Sequence, residues 1–137
     1  MPLVLDLPPG LTGTAELVVG EQHTAPRVGS GRIRVLATPV MINLIEAAAL
    51  AAVEQSLPEH HQSLGTHLDV THIAATPVGM KVRATAEVVR VEGRTIHFRV
   101  RAEDEHELIG EGLHERVVVN LARFDERVNR KARGQTT

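Results

Sequence analysis

The chain of 137 residues contains no cysteine, no tryptophan and no tyrosine, and only two phenylalanines. Without cysteine there can be no disulfide, no thiolate metal site and no cysteine nucleophile. Without exposed aromatic rings there is no platform on which successive bases could stack, which argues against a nucleic-acid partner. The formal net charge is −2, so no field of one sign draws the chain to phosphate or to anionic lipid. No apolar run reaches the roughly 18 residues of a membrane span, and the N-terminus lacks the charged and apolar regions of a signal peptide. These absences lead to the expectation of a soluble cytoplasmic protein. Its length suits a single domain, residues 1–137, with a real core.

What is present is an apolar fraction of 42% made of valine, alanine, leucine and isoleucine. Its centre is the run Thr38 to Ser56, TPVMINLIEAAALAAVEQS. Thr38 reads as an N-cap whose hydroxyl accepts from a free N–H of the first turn. Pro39 fits the first helical position, where its fixed φ helps and its missing donor does no harm. Pro58 stops the helix, which at 1.5 Å per residue is roughly 27 Å long. Between Val40 and Val53 the only polar side chains are Asn43 and Glu46. A helix apolar nearly all round is a buried one, so something must wrap it. A lone carboxylate on such a helix must be paired, protonated or functional.

The remaining chain reads as strands. Residues 1–13 form an apolar arm broken by prolines and glycines, followed by a short strand at Thr14–Val19, a loop at Glu21–Arg32 and a short extended piece at Arg34–Leu36. After the helix, Leu57–Gly65 is a polar connection. His67–Ala75, Met80–Val91 and Thr95–Ala102 alternate with a period of two, and Leu108–Leu121 is a last long strand. Val82, Ala84, Ala86 and Val88, then Ile96, Phe98, Val100 and Ala102, fall on core faces, and Glu92-Gly93-Arg94 is a hairpin turn. Arg123–Arg133 reads as a short helix that frays toward Thr137. Consecutive strands joined by short turns make an antiparallel sheet. The expected class is α+β: one curved antiparallel sheet wrapped around one long central helix, the hot-dog fold. A helix lying on one face of an α+β sandwich is the alternative.

Three side chains could carry chemistry. Thr38 and Glu46 lie eight residues, about two turns, apart on the helix. His72 alternates with Val70 and Ala74 and so shares their inward face. A hydroxyl, a carboxylate and an imidazole meeting where helix joins sheet suit acyl transfer, with the carboxylate as nucleophile or base and the histidine shuttling the proton. Plainer roles exist for two of them, since Thr38 could be only a cap and His72 only a satisfied core histidine. Glu46 is harder to explain away, because burying a carboxylate is unfavourable. His60, His61 and His67 lack the spacing of a metal site, and none is expected. Lys81, Arg83, Arg99 and Arg101 form an outward row that could meet phosphates but reads more simply as a solvated face.

The runs SLGT at Ser63–Thr66, VTHIAATPVG at Val70–Gly79, VEGR at Val91–Arg94 and HER at His114–Arg116 resemble the fluoroacetyl-CoA thioesterase family over roughly Leu36 to Val128. The resemblance implies a hot-dog fold and a catalytic triad of Thr38, Glu46 and His72. It further implies that the Gly65 backbone amide lies near the substrate carbonyl and that Arg116 plays a supporting, substrate-binding part. Coenzyme A would enter as part of the substrate, with no separate cofactor and no metal. The fluoroacetyl-specific member carries phenylalanines before the helix as a lid. The stretch here is Val28-Gly29-Ser30-Gly31-Arg32, without an aromatic.

The expected protein is therefore a homodimeric thioesterase acting on a short-chain acyl-CoA. A non-catalytic hot-dog module that binds an acyl-CoA or other small ligand is the rival from another class. A hot-dog hydratase is the rival enzyme.

Overall fold

The computed structural model describes residues 3–135. Strand β1 (Thr12–Val18) leads through a 3₁₀ turn and the short helix α1 (Ala25–Val28) to helix α2 (Thr38–Val53). Strands β2 (His61–His72), β3 (Lys81–Glu92), β4 (Thr95–Asp104) and β5 (Leu108–Asn120) follow, then helix α3 (Leu121–Ala132). All five strands join one antiparallel sheet in the order β1-β3-β4-β5-β2. This is the hot-dog arrangement, with the sheet curled around α2. Among the described residues no helix is long and apolar enough to cross a membrane.

The alternating segments fold as their pattern dictates. Val82, Ala84, Ala86 and Val88 of β3 and Ile96, Phe98, Val100 and Ala102 of β4 are all fully buried against the helix. From α2 they meet Met41, Leu44, Ile45, Ala48, Ala49, Ala52 and Val53. Each large aliphatic or aromatic side chain so buried contributes about 1.5–3 kcal/mol. The small residues set how close the layers come. Gly13 of β1 lies directly on the α2 backbone, where an added Cβ would overlap the Ala48 carbonyl oxygen and sit 2.8 Å from the Ala52 Cα.

Several expectations need correction. The first strand begins at Thr12, two residues earlier than its pattern indicated, because Gly13 belongs to the sheet and not to the arm. The arm's first two residues, and the end of the chain at Thr137, lie outside the described residues. The loop at 21–32 contains the turn Glu21–His23 and α1, which carries Pro26 in its first turn. The polar connection at 57–65 is partly strand, since β2 starts at His61 and ends at His72 rather than running from His67 to Ala75. A bulge at Thr66 interrupts its pairing with β5. The last helix starts at Leu121, capped by the Asn120 side chain, which accepts from the Arg123 N–H.

The strand after the helix is also not a neighbour of the next one. β2 crosses to pair with β5, and β1 takes the place beside β3. β2 is thus an outer strand, and among the described residues its far edge has no strand partner. The helix is wrapped on one side only: Asn43, Ala47 and Ala51 are exposed, and Ile42, Glu46 and Leu50 half-buried.

Candidate active site

Two polar clusters flank α2. The first joins its N-terminus to the end of β2. Thr38 is the first helical residue, not the cap; Ala37 holds the cap position and offers no side-chain bond. The Thr38 hydroxyl is free for another partner and lies 2.7 Å from Nδ1 of His72. Across the sheet His72 faces Gly110, where any side chain would press on the Met41 sulfur. The other ring nitrogen, Nε2, is buried without a hydrogen-bond partner. Burial lowers the His72 pKa below its usual 6.5, because a charged ring loses its hydration there. The pair opens on a cavity of about 370 Å³, lined also by Arg32, Ile33, Leu36 and Ile73.

The second cluster lies further along the helix. Arg116 of β5 is only 4% exposed and has a partner on each of its three guanidinium nitrogens. Nε donates to Ser63 Oγ at 2.8 Å and Nη2 to the Ser63 carbonyl at 3.1 Å. Nη1 reaches Glu46 Oε2 and His114 Nε2, both at 3.2 Å. Guanidinium nitrogens only donate, so His114 Nε2 must accept. Its Nδ1 therefore carries the proton and donates to the His67 carbonyl at 2.8 Å. Phe98 stacks on the His114 ring with centroids 5.8 Å apart. Burial lowers the Arg116 pKa, and Glu46 opposes that shift. Gly65 completes the group, since a Cβ there would overlap Glu46 Oε2. The backbone of β2 and the carboxylate are held against each other because that residue has no side chain.

The five site residues expected from the sequence thus fall into two groups. Thr38 and His72 meet in one, and Glu46, Gly65 and Arg116 in the other. Within one chain the groups are not joined: the eight residues from Thr38 to Glu46 carry about 12 Å of helical rise. Among the described residues Glu46 makes no hydrogen bond to Thr38 or His72. Sequence reasoning missed Ser63 and His114. His114 precedes Arg116 by two on a strand and so shares its face, which could have been read. Ser63 could not, because it depends on which strand pairs with β5. On the outer face Arg83 approaches Glu16 at 3.9 Å and Arg99 approaches Glu87 at 3.3 Å, so two of the four cations in that row already have anionic neighbours.

Burial lowers the pKa of both His72 and His114 below 6.5, in each case chiefly by desolvation. The unfolded chain therefore takes up protons near pH 6.5 that the folded chain refuses. Stability is held above that pH and lost as pH falls through the lower folded values. Urea unfolding should give a lower midpoint at pH 5 than at pH 7.5, and His114→Asn should reduce the difference. An equal or higher midpoint at pH 5 would contradict the assignment of neutral rings.

A helix inside a curled sheet, with an imidazole, a hydroxyl and an arginine-held carboxylate beside it, places the chain among proteins of the hot-dog fold. The comparisons carry this further. The profile of the fluoroacetyl-CoA-specific thioesterases matches residues 19–122, and the chain belongs to that family of thioester hydrolases. The fluoroacetyl-CoA thioesterase of Streptantibioticus cattleyicolor is 45% identical over 97 residues, 71% of this chain and 70% of its own. The solved structure of the fluoroacetyl-CoA thioesterase FlK superposes with a TM-score of 0.86 at 37% identity, covering 92% of this chain and 98% of that one. A phenylalanine-to-alanine variant of FlK, solved with fluoroacetate and CoA, gives 0.80 at 38% identity over 85% and 98%.

Proposed function

We propose that the protein is a cytoplasmic, homodimeric acyl-CoA thioesterase that hydrolyses a short-chain acyl-CoA with Thr38, Glu46 and His72. In this reading the carboxylate comes from one protomer and the hydroxyl–imidazole pair from the other. The observation that carries it is the buried, unpartnered Nε2 of His72 on the same free-edged strand as Gly65, against which Glu46 lies. Suppose β2 pairs antiparallel with the β2 of a second copy about a two-fold axis near Leu68 and Asp69. Gly65 of one protomer then comes opposite His72 of the other, both on inward faces. Isologous pairing creates two such junctions. It also covers Leu64 and Leu68, which are 38% and 39% exposed in the isolated chain.

The chemistry follows from the groups assembled. The Glu46 carboxylate, oriented by Arg116, either attacks the thioester carbonyl or takes a proton from the water that does. The C–S bond breaks, the acyl group gains its oxygen from water, and His72 passes a proton to the departing CoA sulfur. Thr38 fixes the imidazole through Nδ1, leaving Nε2 for the transfer. A carboxylate arriving at Nε2 draws the His72 pKa back upward, toward the range in which an imidazole both gives and takes protons at neutral pH. The Gly65 backbone lies beside this junction, where its amide is placed to meet the substrate carbonyl. Coenzyme A enters only as part of the substrate.

Free-thiol release from a panel of acyl-CoAs tests the reading. Turnover of short-chain thioesters is expected, and a binding module would release no thiol. The region that carries the aromatic lid in the fluoroacetyl-specific member is here an open stretch, with Gly29 in the left-handed region at φ 85° and Arg32 exposed. Discrimination by one small substituent is worth about 1–3 kcal/mol in a fitted pocket. Preference for fluoroacetyl-CoA over acetyl-CoA should therefore stay within about tenfold in kcat/KM, or about 1.4 kcal/mol. A thousandfold preference would show that another feature senses fluorine.

A further inference from the structure

The cavity beside Thr38 and His72 carries a charge that the reaction does not use. Of the residues lining it, Ala25, Val35, Leu36, Ile33, Ile73 and their neighbours are mostly aliphatic, and Arg32 alone is charged. Nearby arginines are not equivalent to it. Arg34 is tied to Glu21 by two bonds of 2.5 and 2.7 Å, whereas Arg32 makes no ion pair or side-chain hydrogen bond among the described residues. No carboxylate lines the cavity.

We propose that Arg32 selects the acyl group, and that the preferred substrates are thioesters of short dicarboxylic acids, whose far end is a carboxylate. The inference rests on the thioesterase reading and names its substrate class. A free guanidinium at the rim of an aliphatic cavity offers a planar, two-pronged donor to a carboxylate, while the methylene groups between lie against Ile33, Ile73 and Leu36. Distance favours the acyl end of the substrate over its nucleotide end. A sphere of the cavity's volume is about 9 Å across, and a four-carbon diacid extends about 5–6 Å from its thioester carbon. The phosphates of coenzyme A stand on the order of 15 Å from the sulfur along an extended pantetheine arm. A group sharing one small cavity with the catalytic imidazole is therefore placed for the acyl terminus.

The test compares malonyl- and succinyl-CoA with propionyl- and butyryl-CoA, which match them in chain length but lack the carboxylate. The wild-type protein should favour the acidic member of each pair by about 10- to 100-fold in kcat/KM, the range of a hydrogen bond to a charged group. Arg32→Gln should bring that ratio to about 1, and Arg32→Lys should restore part of it. Arg32 lies on an exposed stretch, so the substitution leaves the core untouched. A wild-type preference for the uncharged acyl groups, or an acidic preference that survives Arg32→Gln, overturns the inference and leaves the thioesterase reading standing. Equal losses for all four CoA thioesters, absent with the corresponding pantetheine thioesters, would assign the guanidinium to the coenzyme phosphates and overturn it too. No thiol released from any substrate would sink the thioesterase reading itself, and this inference with it.

Discussion

Mixing two inactive variants should restore activity. Glu46→Ala and His72→Ala are each expected to lose about 10²–10⁴-fold in kcat, the usual range for removing a general acid or base. If the junction is built from two chains, a heterodimer of these variants has one site with neither group and one with both. Random exchange makes half the dimers mixed, so the mixture should recover about a quarter of wild-type kcat. Glu46→Ala leaves Arg116 with both Ser63 bonds and His114, so the variant keeps most of what holds that arginine. Co-expression with two affinity tags isolates the mixed dimer alone, and since one of its two sites is then complete, thiol release from it should reach about half of wild-type kcat. Activity that never rises above that of the single variants would mean the two clusters serve different ends.

A second large effect is expected far from the chemistry. Gly13→Ala should destabilise the fold by about 3 kcal/mol or more, at the upper end of what overpacking does. The added methyl would meet the Ala48 carbonyl and the Ala52 backbone, and main-chain atoms in mid-helix cannot turn aside as a side chain can. Relief requires β1 to lift from α2 or to shift its seven-residue pairing with β3. Either opens the layer in which Ala84 and Ala86 are fully buried. The urea midpoint reads this directly. An unchanged midpoint would show that the sheet can yield there without loss.

These two cases also show how far the sequence was legible. Helix α2 announced itself because the Thr-Pro start, the alanine-rich interior and the proline beyond are local signals. β3 and β4 did so because both bury one face of a strict alternation. β2 was harder: much of it is polar, its inward row changes step at the Thr66 bulge, and its partner β5 lies some fifty residues away. Pairing between distant segments leaves no mark on either one alone. Thr38 shows the same limit at a single residue. Its place at a helix start suggests a cap, and only the approach of β2 gives its hydroxyl to His72 instead. The angular nearness of Thr38 and Glu46 was visible, but the rise between them sends each to a different part of the sheet. The resemblance implied one shared role for both residues, whereas within one chain they stand in separate clusters.

The bare edge of β2 has a consequence for how the protein can be handled in solution. Exposed strand edges template aggregation, and proteins ordinarily blunt them with lysine, proline or a short strand. Here the edge is twelve residues long and keeps leucines at 64 and 68. Blunting it with proline or clustered charge would protect a solitary chain, yet if β2 pairs with a second copy as proposed, the same change would hold Gly65 and its carboxylate away from the neighbouring imidazole. Solubility of the newly made chain and competence of the finished catalyst therefore make opposite demands on one strand. On the dimeric reading, the chain most exposed to misassociation is the one that has not yet met its copy, and engineering for higher yield should leave β2 untouched and work on the outer face of β3 and β4.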